Sequence, residues 1–430
     1  MAAAEHPGQG YASAEALGLP SGFHATDPQI YGRRVPRELF AKLRCSAPIW
    51  WNPQRRGADG FDDEGFWVVS KHDDIKDISR RSDIFSSHMN GAVPRLEEGI
   101  SAEEFETTKT VLISQDAPEH TKLRNLVSRL FTPRGMAALR DVLEQRAERI
   151  VRAALDGGEG EFVREVASEL PMQAIGDLLG FPEEDRARLF DWSNQMTGYN
   201  DNDITTDSRQ GAAEILGYSY QIAEQRRVNP TDDIISRLVL AEIDGQTLTP
   251  EQFGFFVIML GVAGNETTRN ATTLGMLAFL DNPDQWELFK TQRPQTTADE
   301  IVRYTSPLIC LQRTAACDTE VNGAEIKAGQ RLVLMYASAN FDEDVFDDPL
   351  SFNILRNPNP HIGFGGTGAH YCLGANLARL ELDIIFNKIA DHMPDISAIG
   401  DPQRLHSGWL NGVKHWRAHY GRAAQCPVAY

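Results

Sequence analysis

Along most of this chain, apolar positions recur at helical spacing. From about Ala117 to Leu280 the three-to-four-residue period holds almost throughout and predicts one helix after another. The strongest signal begins at Thr249-Pro250-Glu251-Gln252, a capping box with proline at the first helical position. The helix it opens is predicted to run to about Leu280, near 30 residues and roughly 45 Å. It is apolar on almost every side, which predicts a central helix buried all round. Elsewhere the period changes. GFWVVS, Gly65 to Ser70, reads as a strand, and HDDIKDIS after it as a short helix. Gly91 to Thr110 is rich in Gly, Pro and charge and reads as a long loop, of a length that is usually functional or disordered. Strand-like and irregular sequence returns at Leu308 to Ile354. After Cys372, a stripe of Leu373, Leu377, Leu380 and Ile384 predicts a last helix. Helices dominate over a minor sheet component, with no internal repeat and no dividing linker. One domain over 20–420 is expected, with residues 1–19 disordered and 421–430 a tail.

Composition narrows the class of function. With 41% hydrophobic and 24% charged residues, 430 residues can form a core large enough to bury a cofactor. A net charge of -19 argues against a general nucleic-acid or anionic-membrane binder. One island departs from that balance: Thr121 to Arg140 holds five basic residues and no acidic one. It reads as a solvated helix face or as a docking patch for an acidic partner. The five cysteines, Cys45, Cys310, Cys317, Cys372 and Cys426, are odd in number and scattered, as in a reducing cytoplasm. The N-terminus has no apolar core for a signal peptide or anchor. The longest apolar run, Phe253 to Gly264, is well short of the roughly 20 residues that span a bilayer. A soluble cytoplasmic protein is expected.

The chemistry gathers at GFGGTGAHYCLG. Gly363, Gly365, Gly366 and Gly368 allow a backbone to approach a flat or bulky partner closely. Cys372 then sits at or just before a helix N-terminus, where unpaired N–H groups stabilise a thiolate. Such a cysteine is a nucleophile, a metal ligand or a buried structural residue. His370 lies two residues away, but no cysteine-hydrolase signature surrounds it. A lone thiolate under a Gly-rich loop suits haem, whose iron needs one protein ligand when its other face stays open. AGNETT, Ala263 to Thr268, places an acid and two hydroxyls mid-way in the long apolar helix, where they are costly. A threonine there can bond back to the carbonyl four residues earlier and open the helix locally. Gly264 permits close approach, and an acid–hydroxyl pair can carry protons. EIVR, Glu300 to Arg303, pairs opposite charges at i and i+3, and HTKLR, His120 to Arg124, places two cation-capable side chains one turn apart. Both admit an ordinary surface role.

AGNETT, EIVR, ANFDEDVFDDPLSFNILR and FGGTGAHYCLG, in that order and spacing, resemble the cytochrome P450 family of haem-thiolate monooxygenases. The resemblance implies a mainly α fold: the triangular helical haem domain with a small β-rich region. It implies haem b as cofactor, with Cys372 as the axial ligand to iron and Glu266 and Thr267 as the proton-delivery pair. His120, Arg124, Arg313 and His370 match positions that hold the haem propionates, and Ala263, Gly264 and Phe364 match haem contacts. Glu300 and Arg303 look like the family's structural pair, with Arg356 as third partner. One departure is plain. The family usually carries phenylalanine seven residues before the cysteine, where this chain has Gly365, with Phe364 one residue further away.

A narrower resemblance covers most of the chain. APIWWN, ELPMQAI, SNQMTG, QFGFFVIML, NILRNPNPH, GFGGTGAHYC and SGWLNGVKHW look like segments of actinobacterial steroid C26 (or C27) monooxygenases, which share the glycine-extended loop. This implies hydroxylation, and further oxidation, of the terminal side-chain methyl of cholesterol or cholest-4-en-3-one, within steroid breakdown. O2 and electrons from a ferredoxin and its reductase would be required, because 430 residues leave no room for a fused redox domain. Ile100, Met196, Phe255, Val262, Leu308, Ile309 and Trp409 are the candidate pocket residues, each equally readable as core. An omega-hydroxylase of methyl-branched fatty acids or lipids fits the same apolar pocket. A peroxide-driven fatty-acid hydroxylase tends to replace the acid–threonine pair. A non-catalytic haem-thiolate sensor would need Cys372 but has no use for Glu266 and Thr267.

Overall fold

Thr249 caps the helix that organises the molecule. Its side chain accepts from the Gln252 amide at 3.1 Å, and the Gln252 side chain accepts from the Thr249 amide at 3.0 Å. The helix Pro250–Asp281 runs 32 residues without a break, about 48 Å. Helices Glu169–Leu179, Arg186–Thr197, Ser208–Val228, Thr297–Thr305 and Ala375–His392 pack against it. The central, buried position follows from its sequence: with apolar residues all round, it must be covered on all sides. The computed structural model describes residues 12–421, except 98, 129–130, 198–200, 202, 204–207, 232–233, 241 and 244–245.

The sheet component is small and lies beside the helices. Five strands run in the order Ile49–Pro53, Gly65–Val69, Arg331–Leu334, Leu311–Ala315, Phe85–Ser86. Trp51 stands opposite Trp67 across the first antiparallel pair, with ring centroids 5.2 Å apart. Gly65–Val69 is buried along its whole length, which explains why its sequence is apolar without alternation. A second sheet joins Ser397–Arg404, Val413–His419 and Glu159–Glu161. No helix among the described residues is long and apolar enough to cross a membrane.

Two expectations need correction. The Gly91–Thr110 stretch is not loop throughout: helix Ala102–Thr108 forms within it. Its start was readable, since Ser101 and Glu104 make a full capping box at the proper spacing. Residues 1–11 and 422–430 lie outside the described residues. Within residues 12–19, expected to be disordered, Glu15–Leu17 is a 3-10 turn, Leu19 is buried, and the Ala12 carbonyl accepts from the Trp50 indole, although most of these residues are exposed.

Candidate active site

The glycine loop lies flat against helix His72–Arg80. Gly368 has φ +79, and a Cβ there would sit 2.2 Å from the Ser79 carbonyl oxygen, so only glycine fits. The loop closes on itself: the Cys372 amide donates to the Phe364 carbonyl at 2.8 Å. Gly374 then caps helix Ala375–His392. Cys372 is accessible, yet the protein mass around it pushes its thiol pKa up. Together these place the sulfur on the wall of an internal recess. The Gly374 amide, Arg124 and Arg379 oppose that rise. A metal ion at the sulfur displaces the proton outright. The Phe364 ring is buried between the Arg379 guanidinium, 4.5 Å from its centroid, and the His361 ring at 5.6 Å. Gly365, at φ +100, makes the turn at the position where the family usually has phenylalanine.

The long helix presents a different face at its middle. Ala263 is exposed and Val262 and Thr267 are half-buried, although the helix around them is buried. The Thr267 hydroxyl donates to the Ala263 carbonyl at 2.6 Å. That bond was expected to open the helix locally, but the helix is continuous through Ala263–Thr268, because the hydroxyl only shares a carbonyl. Gly264 does admit a close neighbour, but the neighbour is Ile175: its Cδ1 would be 2.6 Å from a Cβ at Gly264. Glu266 points elsewhere. It is fully buried and accepts from Arg269 at 2.5 Å. Burial pushes its pKa up and Arg269 pulls it back. Successive helix residues differ by about 100°, so Glu266 and Thr267 cannot face the same way.

Near Cys372, four cation-capable side chains converge. The His120 and His370 rings are 4.2 Å apart. Burial, then Arg313, His120 and Arg124, pull the His370 pKa down to about 2. Burial and Arg124 likewise lower His120, and burial lowers Arg124 and Arg313. Asp116 opposes the fall at both His120 and Arg313, and Tyr336 opposes it at Arg313 as well. The His120 Nε2 atom is buried without a hydrogen-bond partner. An unpartnered ring nitrogen beside the two guanidinium groups of Arg124 and Arg313, whose field, added to burial, holds both imidazoles neutral, suits an anionic group. The residues present therefore fit a group with an anionic edge, as haem has, and Cys372 offers a thiolate donor near them.

Beneath the loop, Glu300 and Arg303 are fully buried and bonded at 2.8 Å. Arg303 also donates to the carbonyls of Asn340, Pro349 and Ser351. Glu300 accepts from the Asn353 amide and from Asn359, with Arg356 3.3 Å away. Every contact ties residues 340–359 to helix Thr297–Thr305, so the trio shapes the chain leading into the glycine loop.

The candidate pocket residues divide. Ile100, Met196, Val262, Leu308 and Trp409 keep partial exposure. Ile309 has 0% exposure and packs with Tyr31, Phe40 and Val333, so it lines no cavity; its carbon surface is spent on the core. Phe255, at 7%, is nearly as enclosed. The basic island also divides. Arg124 turns inward to donate to the Tyr371 carbonyl, Arg140 pairs with Glu144 and Asp383, Lys122 is exposed, and Arg129 lies outside the described residues.

Several residues here escaped the sequence reading. Arg269 was legible, since it stands at i+3 from Glu266 just as Arg303 does from Glu300. Arg379, held by Asp299 at 2.7 Å, was not, because that contact crosses between helices 80 residues apart. Glu381 was missed too. It is buried against Thr268, with one oxygen unpartnered, and burial pushes its pKa to about 8. The fold thus binds this proton more tightly than the unfolded chain does. Its stabilising contribution is complete below the usual pKa of 4.5 and is lost as pH rises through about 8. Between pH 7 and 9 the protein should lose about 1.4 kcal/mol from this group. Glu381→Gln should remove that part of the pH dependence in urea unfolding; an unchanged slope would show that Glu381 titrates normally.

Comparison with known proteins adds the family and relatives that the chain resembles. The family profile described as Cytochrome P450 matches residues 295–392. The chain is 60% identical over 413 residues to the Steroid C26-monooxygenase of Rhodococcus jostii (strain RHA1), covering 96% of this chain and 88% of that protein. It is 41% identical over 389 residues to the Methyl-branched lipid omega-hydroxylase of Mycobacterium tuberculosis (strain ATCC 25618 / H37Rv), covering 87% and 89%. Among solved structures, Mycobacterium marinum cytochrome P450 CYP268A2 in complex with pseudoionone superposes with a TM-score of 0.84 at 36% identity, covering 89% of this chain and 94% of that one.

Proposed function

We infer the function from one premise: the chain belongs to the cytochrome P450 family. It is a haem monooxygenase of the steroid C26 type. The observation that carries the substrate class is the nearly full-length likeness to a steroid C26-monooxygenase. The substrate we propose is cholesterol or cholest-4-en-3-one, attacked at a terminal side-chain methyl. The methyl-branched lipid omega-hydroxylase relative supports a second reading with the same regiochemistry, a terminal methyl on a branched apolar chain.

The cofactor we propose is haem b, with Cys372 as its protein ligand and His120, Arg124, Arg313 and His370 around its propionates. When bound, the haem supplies O2 activation and oxygen insertion into a C–H bond. Everything else is the task of the chain. With the haem bound, Cys372 would carry a negative charge, which Arg124 and Arg379 would help to stabilise against the burial that favours the thiol. Ala263, exposed on an otherwise mostly buried helix, would leave room for the haem. The half-buried Val262, Leu308, Met196, Ile100 and Trp409 supply an apolar wall that excludes water and orients a thin hydrocarbon side chain. The Thr267 hydroxyl, half-buried and anchored on the Ala263 carbonyl, would pass a proton. Glu266 holds a proton reserve behind it, against Arg269.

P450 monooxygenases take O2 and draw electrons from redox partners. The partner we propose is an acidic ferredoxin with its reductase, docking by the basic island near Cys372. The decisive experiment is titration of the haem-loaded protein with cholest-4-en-3-one, watching the Soret band, beside a methyl-branched fatty acid. The sterol should bind more tightly and yield the terminal alcohol. Tighter binding and turnover of the fatty acid would favour the second reading, and a response to neither would refute both. In the reconstituted assay, turnover should slow as salt rises, since exposed charges are screened over about 10 Å at 0.1 M; salt-independent reduction would count against the docking patch.

A further inference from the structure

Two loops that border the proposed pocket hang from one buried carboxylate. Asp59 is 3% exposed and sits at φ +56, a left-handed conformation uncommon for aspartate. Its carboxylate lies 2.5 Å from Arg95, accepts from the Thr26 hydroxyl at 3.0 Å, and lies 3.8 Å from His24. Its backbone carbonyl accepts from the Leu96 amide at 2.8 Å. The next residue, Gly60, has φ +82, and a Cβ there would be 2.7 Å from the Leu96 Cβ and 3.4 Å from the Ile100 Cγ2. The loop carrying Ile100 is therefore clamped onto the turn at residues 58–60.

The second loop reaches the same point through Thr26. The Thr26 carbonyl lies 3.5 Å from the Arg95 guanidinium, and a Cβ on Gly408 would be 2.0 Å from that same oxygen. Gly408 is fixed from its other side, where its carbonyl accepts from the Cys310 thiol at 3.3 Å. Trp409 follows directly. A parallel tie runs from Asp63 to Arg331 at 2.5 Å, from Arg331 to the Gln312 side chain at 3.0 Å, and from Gln312 to the Asn90 and Gly91 carbonyls. Buried ion pairs add little to stability compared with apolar packing of equal volume. They do fix geometry, and this one fixes the separation of Ile100 from Trp409.

We propose that Asp59 and Arg95 are positioning residues for substrate binding: they hold the Ile100 and Trp409 loops at the spacing that admits a thin apolar molecule. The inference rests on the reading that these loops border the sterol pocket. With the clamp broken, the loop carrying Ile100 samples other positions. If the competent fraction falls to about a tenth, the apparent Kd rises about tenfold.

Asp59→Asn is the sharpest variant, because asparagine tolerates the left-handed backbone and keeps an acceptor for Thr26 while removing the charge. Arg95→Gln and Arg95→Lys test the partner. On the haem-loaded protein, Asp59→Asn and Arg95→Gln should each raise the cholest-4-en-3-one Kd about tenfold. The double variant should be no worse than either, and Arg95→Lys should recover most of the affinity. The carbon monoxide difference band should stay unchanged throughout. Hydrogen exchange of the peptide containing Leu96 should speed up in Arg95→Gln, because its amide bonds to the Asp59 carbonyl. Variants that melt earlier but keep a normal Kd would overturn the proposal, leaving the cluster purely structural. Should wild-type protein give no sterol-induced shift, the substrate reading fails, and unchanged exchange at Leu96 would then refute the clamp as well. Should Asp59→Asn not fold, the two Arg95 variants decide the question.

Discussion

Cys372→Ala is expected to abolish the absorption band near ~450 nm that the reduced, carbon monoxide-bound protein should show, and monooxygenase activity with it. The sulfur stands on the wall of the recess, beyond a loop that only glycine can form at Gly368. Arg124, Arg379 and the Gly374 amide all favour its charged form. No substitution at the proposed propionate cluster should have that effect. His120→Ala or Arg313→Ala should lower haem content, because an anionic edge loses a partner, while the haem that remains keeps its band position. The two signatures separate ligand from anchor. Haem content and band position are both read from one set of difference spectra. A ~450 nm band surviving in Cys372→Ala would remove Cys372 from the iron, and the recess would need another ligand.

The sequence made the frame of this site legible because its signals are local. A capping box at Thr249 announces the long helix, and four glycines announce the loop before Cys372. A period-3.6 stripe announces the helix that follows the cysteine. Glu300 and Arg303 were readable because i and i+3 meet on one helix face. What local pattern does not encode is direction. Glu266 and Thr267 adjoin in sequence, yet one pairs with buried Arg269 and the other, half-buried, bonds back to the Ala263 carbonyl. Gly264 reads as a gap for a ligand, and the fold fills it with Ile175 from another helix. Ile309 reads as a pocket residue, and the fold buries it under the sheet. Asp59 carries no motif at all. Its partners, Thr26 and Arg95, stand 33 residues before it and 36 after it, a separation at which side-chain pattern says nothing about contact.

Thr267→Ala should leave sterol affinity near normal and cut the hydroxysterol formed per pair of electrons consumed by about tenfold or more. The fold should tolerate the change, because alanine favours helix more than threonine does and, among the described residues, the lost hydroxyl was bonded to the Ala263 carbonyl of its own helix. Electron consumption should continue, with oxygen leaving as peroxide. Thr267→Ser keeps a hydroxyl at the same place and should restore much of the ratio. Glu266→Gln should act differently. The amide keeps the volume but cannot hold an exchangeable acidic proton, so the step after the second electron should slow. It also leaves buried Arg269 against a neutral group, so the melting temperature should fall. That is why the diagnostic quantity is the ratio of product to reducing equivalents, measured below the melting range, and not the rate alone. Burial raises the Glu266 pKa, so the acid keeps its proton to higher pH than an exposed glutamate. The wild-type ratio should therefore fall toward alkaline pH, and the Gln variant should lose that dependence. If both variants keep a normal ratio and lose only sterol affinity, Glu266 and Thr267 belong to the substrate wall, and protons must reach the recess by another path.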